Sequence, residues 1–378
     1  MYKLFQKFIT VYLCAGLCMF SENAHTAIDQ ILNDNFFQNP AELSLITNFQ
    51  ILGGNVFISP EIKFIGTTNL GSGHATSDVN DFLPYILVDY RVSDKWVFGV
   101  NIVPSAYGHL EWPIDSIVAQ DATVTDVLYY RYGLQSSYQI TDTLSLGIGA
   151  NLQANEHYEL DFVVSGLGNE LNNVSGFNFI ADVGLHYKIT SRHSLSIAYY
   201  SPVNNKKGHG RSVLHPNINN NFTLNINEAS VAFIGLEHCW TPRWSLEEKV
   251  YWSGWSIQKN IYFNNTTRGS FVIPTNYKDT LSFLFTTKYS ITDKTVLIGG
   301  LLYETNPVPI ETNAIGYPLA AFGAITSGFS IVLQNELSMQ FIYSYGKFLP
   351  NSPINNSGSI GTITANVQAA VLQVMYKI

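Results

Sequence analysis

The chain has 378 residues, a net charge of −8, and equal shares, 13% each, of charged and aromatic side chains. The negative balance excludes a nucleic-acid partner, and the charge content, about half the usual share of a globular domain, is too low for a water-facing surface. No run of eighteen apolar residues exists, so helical membrane spans are excluded as well. A surface that is apolar without apolar runs implies alternation.

Taken in chain order, the N-terminus reads as a secretory signal over 1–27. Lys3 and Lys7 precede a short apolar stretch from Phe8 to Phe20, and Ala24 and Ala27 are cleavage points. Cys14 and Cys18 leave with it; Cys239 remains, so no intramolecular disulfide is expected. A short plug over 28–49 is followed by a strand from about Gln50 to Ile65. Then a phrase of the form Tyr–x–Ile–Thr–Asp begins to recur: 90-YRVSD, 138-YQITD, 187-YKITS and 289-YSITD, with weaker copies at 238 and 329. Each centre is turn chemistry: Ser93-Asp94, Thr141-Asp142, Ser191-Arg192, Thr241-Pro242, Thr292-Asp293 and Gln334-Asn335. Period-two alternation on both sides marks tight β-hairpins. After the second turn, Leu144, Leu146, Ile148 and Ala150 point one way, and Ser145, Gly147, Gly149 and Asn151 the other.

The turns are 48, 50, 50, 51 and 42 residues apart. Two strands fill half of each interval, leaving long polar loops such as 204–221 and 348–361. Short turns at one end and long loops at the other are the pattern of an outer-membrane barrel. One strand before the first hairpin, twelve in six hairpins and one at the end, about Thr362 to Ile378, make fourteen. The expected fold is therefore all-β, a transmembrane antiparallel barrel of 14 strands over 50–378. Trp96, Trp240 and Trp244 near the short turns, with Trp112, Trp252 and Trp255 toward the long-loop ends, read as two interfacial girdles.

Reaction chemistry is missing from the sequence. There is no H-E-x-x-H, G-x-S-x-G or Walker loop, and Gly147-Ile148-Gly149 sits mid-strand with no helix after it. His209 and His215 share a polar loop, and His186 with Ser194 or Ser196 flanks one turn; neither pair is diagnostic. No catalytic residue, metal or cofactor is expected.

Transport remains. Residues 38-QNPAELSLITNFQILGGNVFISPEIKF-64 resemble the opening of the FadL family of outer-membrane long-chain fatty-acid and hydrocarbon channels. So, in order, do 96–108, 223–256 and 277–310, the last ending in Asn-Pro-Val-Pro. The resemblance implies a fourteen-stranded barrel that takes up hydrophobic molecules, fatty acids foremost, and releases them sideways into outer-membrane lipid through a kinked third strand. It implies a plug element at Asn39, Pro40 and Ala41, and a kink at Pro104, Ser105, Ala106, Tyr107 and Gly108. Proline lacks the ladder N–H, so Pro104 predicts broken pairing, as a kink or as the end of the strand. Phe162, Val163 and Val164 in loop three, His157, Lys259, and Pro307, Val308 and Pro309 are the ligand-binding positions it suggests. The cation that the family offers to a carboxylate falls near Glu156-His157, with no arginine there, and Lys259 is a substitute. A single-chain, monomeric barrel is expected. The alternative is an adhesion or structural barrel whose extracellular loops bind a partner; a diffusion porin would need more charge.

Overall fold

The computed structural model describes residues 38–378 except Asn335, without the side chains of Glu156, His157, Asn205 and Lys206. The expected signal segment and plug residues 28–37 lie outside the described residues. Fourteen strands close a barrel. The first seven are β1 (Phe49–Thr68), β2 (Asp81–Arg91), β3 (Trp96–Glu111), β4 (Val124–Gln139), β5 (Leu144–Val164), β6 (Phe177–Thr190) and β7 (His193–Tyr200). The rest are β8 (Val231–Thr241), β9 (Trp244–Ser253), β10 (Thr280–Thr292), β11 (Thr295–Glu304), β12 (Phe322–Gln334), β13 (Leu337–Phe348) and β14 (Ser359–Lys377). Each pairs antiparallel with the next, and β14 returns to β1 from Gln50↔Lys377 to Thr67↔Ile360. The count read from the turns is the count observed.

The recurring phrase works through its hydroxyl. Thr141 Oγ1 accepts the Leu144 N–H at 3.1 Å, and Ser93 Oγ accepts that of Trp96 at 3.2 Å. Thr241 and Thr292 take the N–H groups of Arg243 and Lys294 in the same way. A Ser or Thr at the head of the turn satisfies a donor that the tight reversal would orphan. Alternation then sorts the faces: Leu134 and Ile148 are each 64% exposed on the outside, while Ser137, Ser145 and Asn151 are buried inside. Outside means lipid, so exposed aliphatic side chains are the favourable arrangement there.

Three expectations change. The long polar loops are largely strands: Val203–Leu214 with Asn217–Glu228, and Ser352–Asn356 against β14. Loop three is β5 running on to Val164, a tight turn, and the strand Gly168–Ser175. Their polar, Asn-rich sequence hid the alternation because one face of these hairpins meets water. Of the outer tryptophans, only Trp252 is exposed; Trp112, which opens the β3–β4 loop, is buried and Trp255 packs on Tyr277. The inner three, Trp96, Trp240 and Trp244, are exposed as expected.

Candidate functional site

Inside the barrel, Asn39 caps a 3₁₀ helix, Pro40–Leu45. Its Oδ1 accepts the Ala41 N–H at 3.0 Å and its Nδ2 donates to the Leu185 carbonyl at 2.8 Å, so one side chain both shapes the plug and ties it to β6. Proline follows at the first helical position, where no N–H is needed. Ser137 donates to the Ala41 carbonyl, and Arg91 donates to the carbonyls of Ile46 and Ser44 at 2.7 and 2.5 Å. Glu42 accepts the Ser196 hydroxyl and lies 3.9 Å from His186. The His–Ser pair noted in the sequence is thus a seat for the plug, with the carboxylate on the serine rather than on the imidazole. The wall makes room with glycine: a Cβ at Gly147 would overlap the Pro40–Ala41 peptide, and one at Gly184 the Asn39 side chain.

Above the plug lies a cavity of about 210 Å³. Val127, Tyr129, Tyr158, Phe162, Phe263 and Tyr277 give it a mostly apolar wall. Arg131 is at its polar end, 2% exposed, with the guanidinium 4.8 Å over the ring of Tyr200 and Asp182 nearby. Tyr200 itself lines the cavity and donates its hydroxyl to the Gln38 carbonyl, so one ring touches both the cavity and the plug. Asp121, in the loop over the mouth, accepts the Ser359 hydroxyl; burial pushes its carboxyl up to about 6.

The third strand does not end at Pro104; it runs on to Glu111. A bulge lies between Pro104 and Ala106 in the pairing with β4, and the extra residue, Ser105, is turned inward, where Gln153 donates to it at 2.9 Å. Ser105 and Ala106 both line the cavity. On the other edge, β2 and β3 pair only from Arg91↔Val97 to Ile86↔Ile102. Two residues further on, the same register would set Pro84 against Pro104. The Pro84 carbonyl is met from that side by the Tyr130 hydroxyl at 3.0 Å, and a strand residue directs its N–H and C=O to the same neighbour. Pro84 and Pro104 would therefore be the pair that exchanges two hydrogen bonds, and neither has a donor. Side chains fill the break. Leu83, Val103 and Tyr107 are buried in it, and at its outer rim Asp81 of β2 holds Tyr107 and His109 of β3 at 2.6 and 2.8 Å.

Of the ligand-binding positions expected from sequence, Phe162 lines the cavity, edge-on to Phe271. Val163 and Val164 end β5 just beyond it, paired with Asn169 and Gly168, and the His157 side chain is outside the described residues. Lys259 does not reach the cavity: it is exposed and donates to the Tyr277 carbonyl, because its segment runs along the rim. Pro307, Val308 and Pro309 also stand back from the lining, and Val308 packs behind Tyr277 and Leu319. Arg131 was missed. Its signal was present: Tyr132 and Leu134 face outward, so odd positions of β4 face the lumen, and a charge there in a membrane strand marks a site.

Comparison with known proteins agrees with this geometry. The family model for outer membrane protein transport protein (OMPP1/FadL/TodX) matches residues 20–376. The long-chain fatty acid transport protein of Escherichia coli (strain K12) is 19% identical over 363 residues, covering 82% of this chain and 81% of its own length. That of Salmonella typhi is 21% identical over 356 residues, with 82% and 80% covered. Among solved structures, a Pseudomonas aeruginosa FadL homologue superposes with a TM-score of 0.79 at 17% identity, covering 95% of this chain and 99% of its own. The Pseudomonas putida toluene transporter TodX gives 0.72 at 16%, covering 92% and 94%. The chain belongs to the OMPP1/FadL/TodX family, outer-membrane channels for hydrophobic molecules rather than enzymes.

Proposed function

We propose that this channel carries long-chain fatty acids or similarly elongated hydrophobic molecules, and that it releases them sideways through the break between β2 and β3. The observation that carries the reading is the position of the break: its bulge residues, Ser105 and Ala106, are also cavity wall. A molecule in the cavity is separated from lipid by side chains, but from the periplasm by the plug and the polar layer around Arg131 and Asp182. An acyl chain gains about 0.8 kcal/mol for each CH₂ kept out of water, so the sideways route is the favourable one. Arg131 is the group that would face a carboxylate, and Tyr200, between Arg131 and Gln38, would pass its displacement to the plug. Fatty-acid and toluene transport by the relatives supports the apolar cargo. The test is uptake of a labelled long-chain fatty acid by vesicles carrying the full chain. Replacing both prolines with alanine should lower uptake at least ten-fold and leave ligand binding intact; unchanged uptake would reject the sideways route, and lost binding with normal folding would reject the cavity.

A further inference from the structure

Five strands rise above the barrel as a branch of its sheet, joined to β5 through the first of them: Gly168–Ser175, Val203–Leu214, Asn217–Glu228, Asn260–Thr266 and Gly269–Pro274. Its inner face carries Val174, Phe222, Leu224 and Phe263, packed as a core above the cavity. The outer face of Val203–Leu214 is different. Lys207, His209 and Arg211 are all exposed and sit two residues apart, hence on one side of the strand, with Gly208, Gly210 and the buried Ser212 between and after them. In a chain of net charge −8, this column holds two permanent cations, Lys207 and Arg211, with a histidine between them.

Register sets its height. His209 pairs with Ser175 and Arg211 with Asn173. The same register puts Lys207 level with Phe177, the first residue of β6. Phe177 and Phe179 are 65% and 76% exposed, edge-on to each other, on the lipid-facing side. At about 3.4 Å per residue, His209 stands roughly 7 Å and Arg211 roughly 14 Å along the strand beyond the last lipid-facing aromatic. That is the zone where hydrocarbon gives way to charged head groups. The neighbours on this face are Asn173, Ser175, Thr223 and Asn225. Among the described side chains, one carboxylate flanks the column, Glu159, and it accepts the Asn173 amide at 2.6 Å.

We propose that Lys207, His209 and Arg211 form a docking ladder for the phosphates of a phosphorylated glycolipid in the outer leaflet, a head group of the lipid A type. Arginine offers a fork of donors that suits phosphate, lysine adds a point charge, and the neighbouring amides and hydroxyls suit the sugar. The ladder starts where the acyl chains of such a lipid would lie against Phe177 and Phe179, so one molecule meets both features at once.

The experiment titrates the purified full chain in detergent with bisphosphorylated lipid A and reads adducts by native mass spectrometry. The same lipid stripped of both phosphates, and inorganic pyrophosphate, form the other arms. The wild type should bind the phosphorylated lipid alone. K207Q/H209Q/R211Q should bind it roughly thirty-fold more weakly, from about five-fold for each of two permanent cations. Gel mobility before and after heating shows that the variant barrel is folded; should it fail, K207Q and R211Q singly should each lose about five-fold. Equal binding by wild type and variants, equal binding of the stripped lipid, or displacement by pyrophosphate at lipid concentrations would each overturn the proposal.

Discussion

Two seams of this barrel invite comparison. Between β1 and β14, register pairs run without a break from Gln50↔Lys377 to Thr67↔Ile360. Between β2 and β3 they stop after six, at Ile86↔Ile102. Proline alone does not explain the contrast, because the long seam also contains one: Pro60, opposite Val367. Pro60 falls where the other edge of β1 passes from β2, paired up to Ile58, to the strand Gly71–Asp78, paired from Glu61. A missing donor there costs the closing seam nothing. At the short seam, two prolines would face each other and the pair loses both bonds. What opens a sheet is the direction and the pairing of its missing donors, not their number.

The largest expected effect erases this difference. Pro84→Ala with Pro104→Ala restores two donors, and at about 0.5–1.5 kcal/mol per ladder bond the seam should close. Uptake should fall at least ten-fold and the barrel should resist heat better, read by vesicle uptake and by unfolding on heating. Next in size is Asp81→Ala, which removes the acceptor that holds Tyr107 and His109 across the outer rim. Uptake should rise several-fold, and the amides of β3 beyond Val103 should exchange faster. An unaltered exchange pattern would mean that the buried side chains, not Asp81, hold the break shut.

A pH series separates the two regions above the seams. Asp121 ties the β3–β4 loop to Ser359 at the head of β14, and burial has raised it to about 6, so its ionised form is the costly one. Lowering the pH from 7 to 5 should therefore tighten that loop. Glu170, in the five-stranded branch above the barrel, behaves oppositely. Burial opposes its charge, but the hydroxyls of Thr267 and Ser212 and the guanidinium of Arg268 outweigh burial and hold it below the usual carboxylate range. Its contribution is present above that range and is lost only as pH falls through its depressed value. Hydrogen exchange should show the loop over 112–123 protected at pH 5 with the five-stranded branch unchanged, and that branch loosening only in stronger acid. The smallest effect belongs to Pro60→Ala, for which uptake should not change and stability should move by less than about 1 kcal/mol.

The fourteen strands were legible because the evidence for them is local. A hydroxyl at the head of the first five turns and alternation beside all six need no distant partner, and Thr141 with Leu144 to Asn151 contains both. Pro104 was legible as a disturbance for the same reason. Its meaning was not, because Pro84 becomes its partner only when β2 and β3 take their register. Arg131 was hidden by reliance on the family's usual place for a cation, though the parity of β4 already pointed inward. The hairpins over 203–228 read as loops because asparagine on a solvated face leaves no apolar alternation to see. Lys259 misled because a cation near a tryptophan-rich segment looks the same in sequence at the rim and in the lumen.

Gly147 first drew notice as part of a false nucleotide fingerprint. In the folded chain it and Gly184 are the imprint of the plug upon the wall. That imprint makes the two pieces a fitted set. A plug transplanted from a relative whose strands carry alanine at these positions would meet free space and rattle. This plug, placed in that relative's barrel, would find no seat. Substituting one partner therefore selects for change in the other across more than a hundred residues of sequence, and the pair can be followed as a single inherited character.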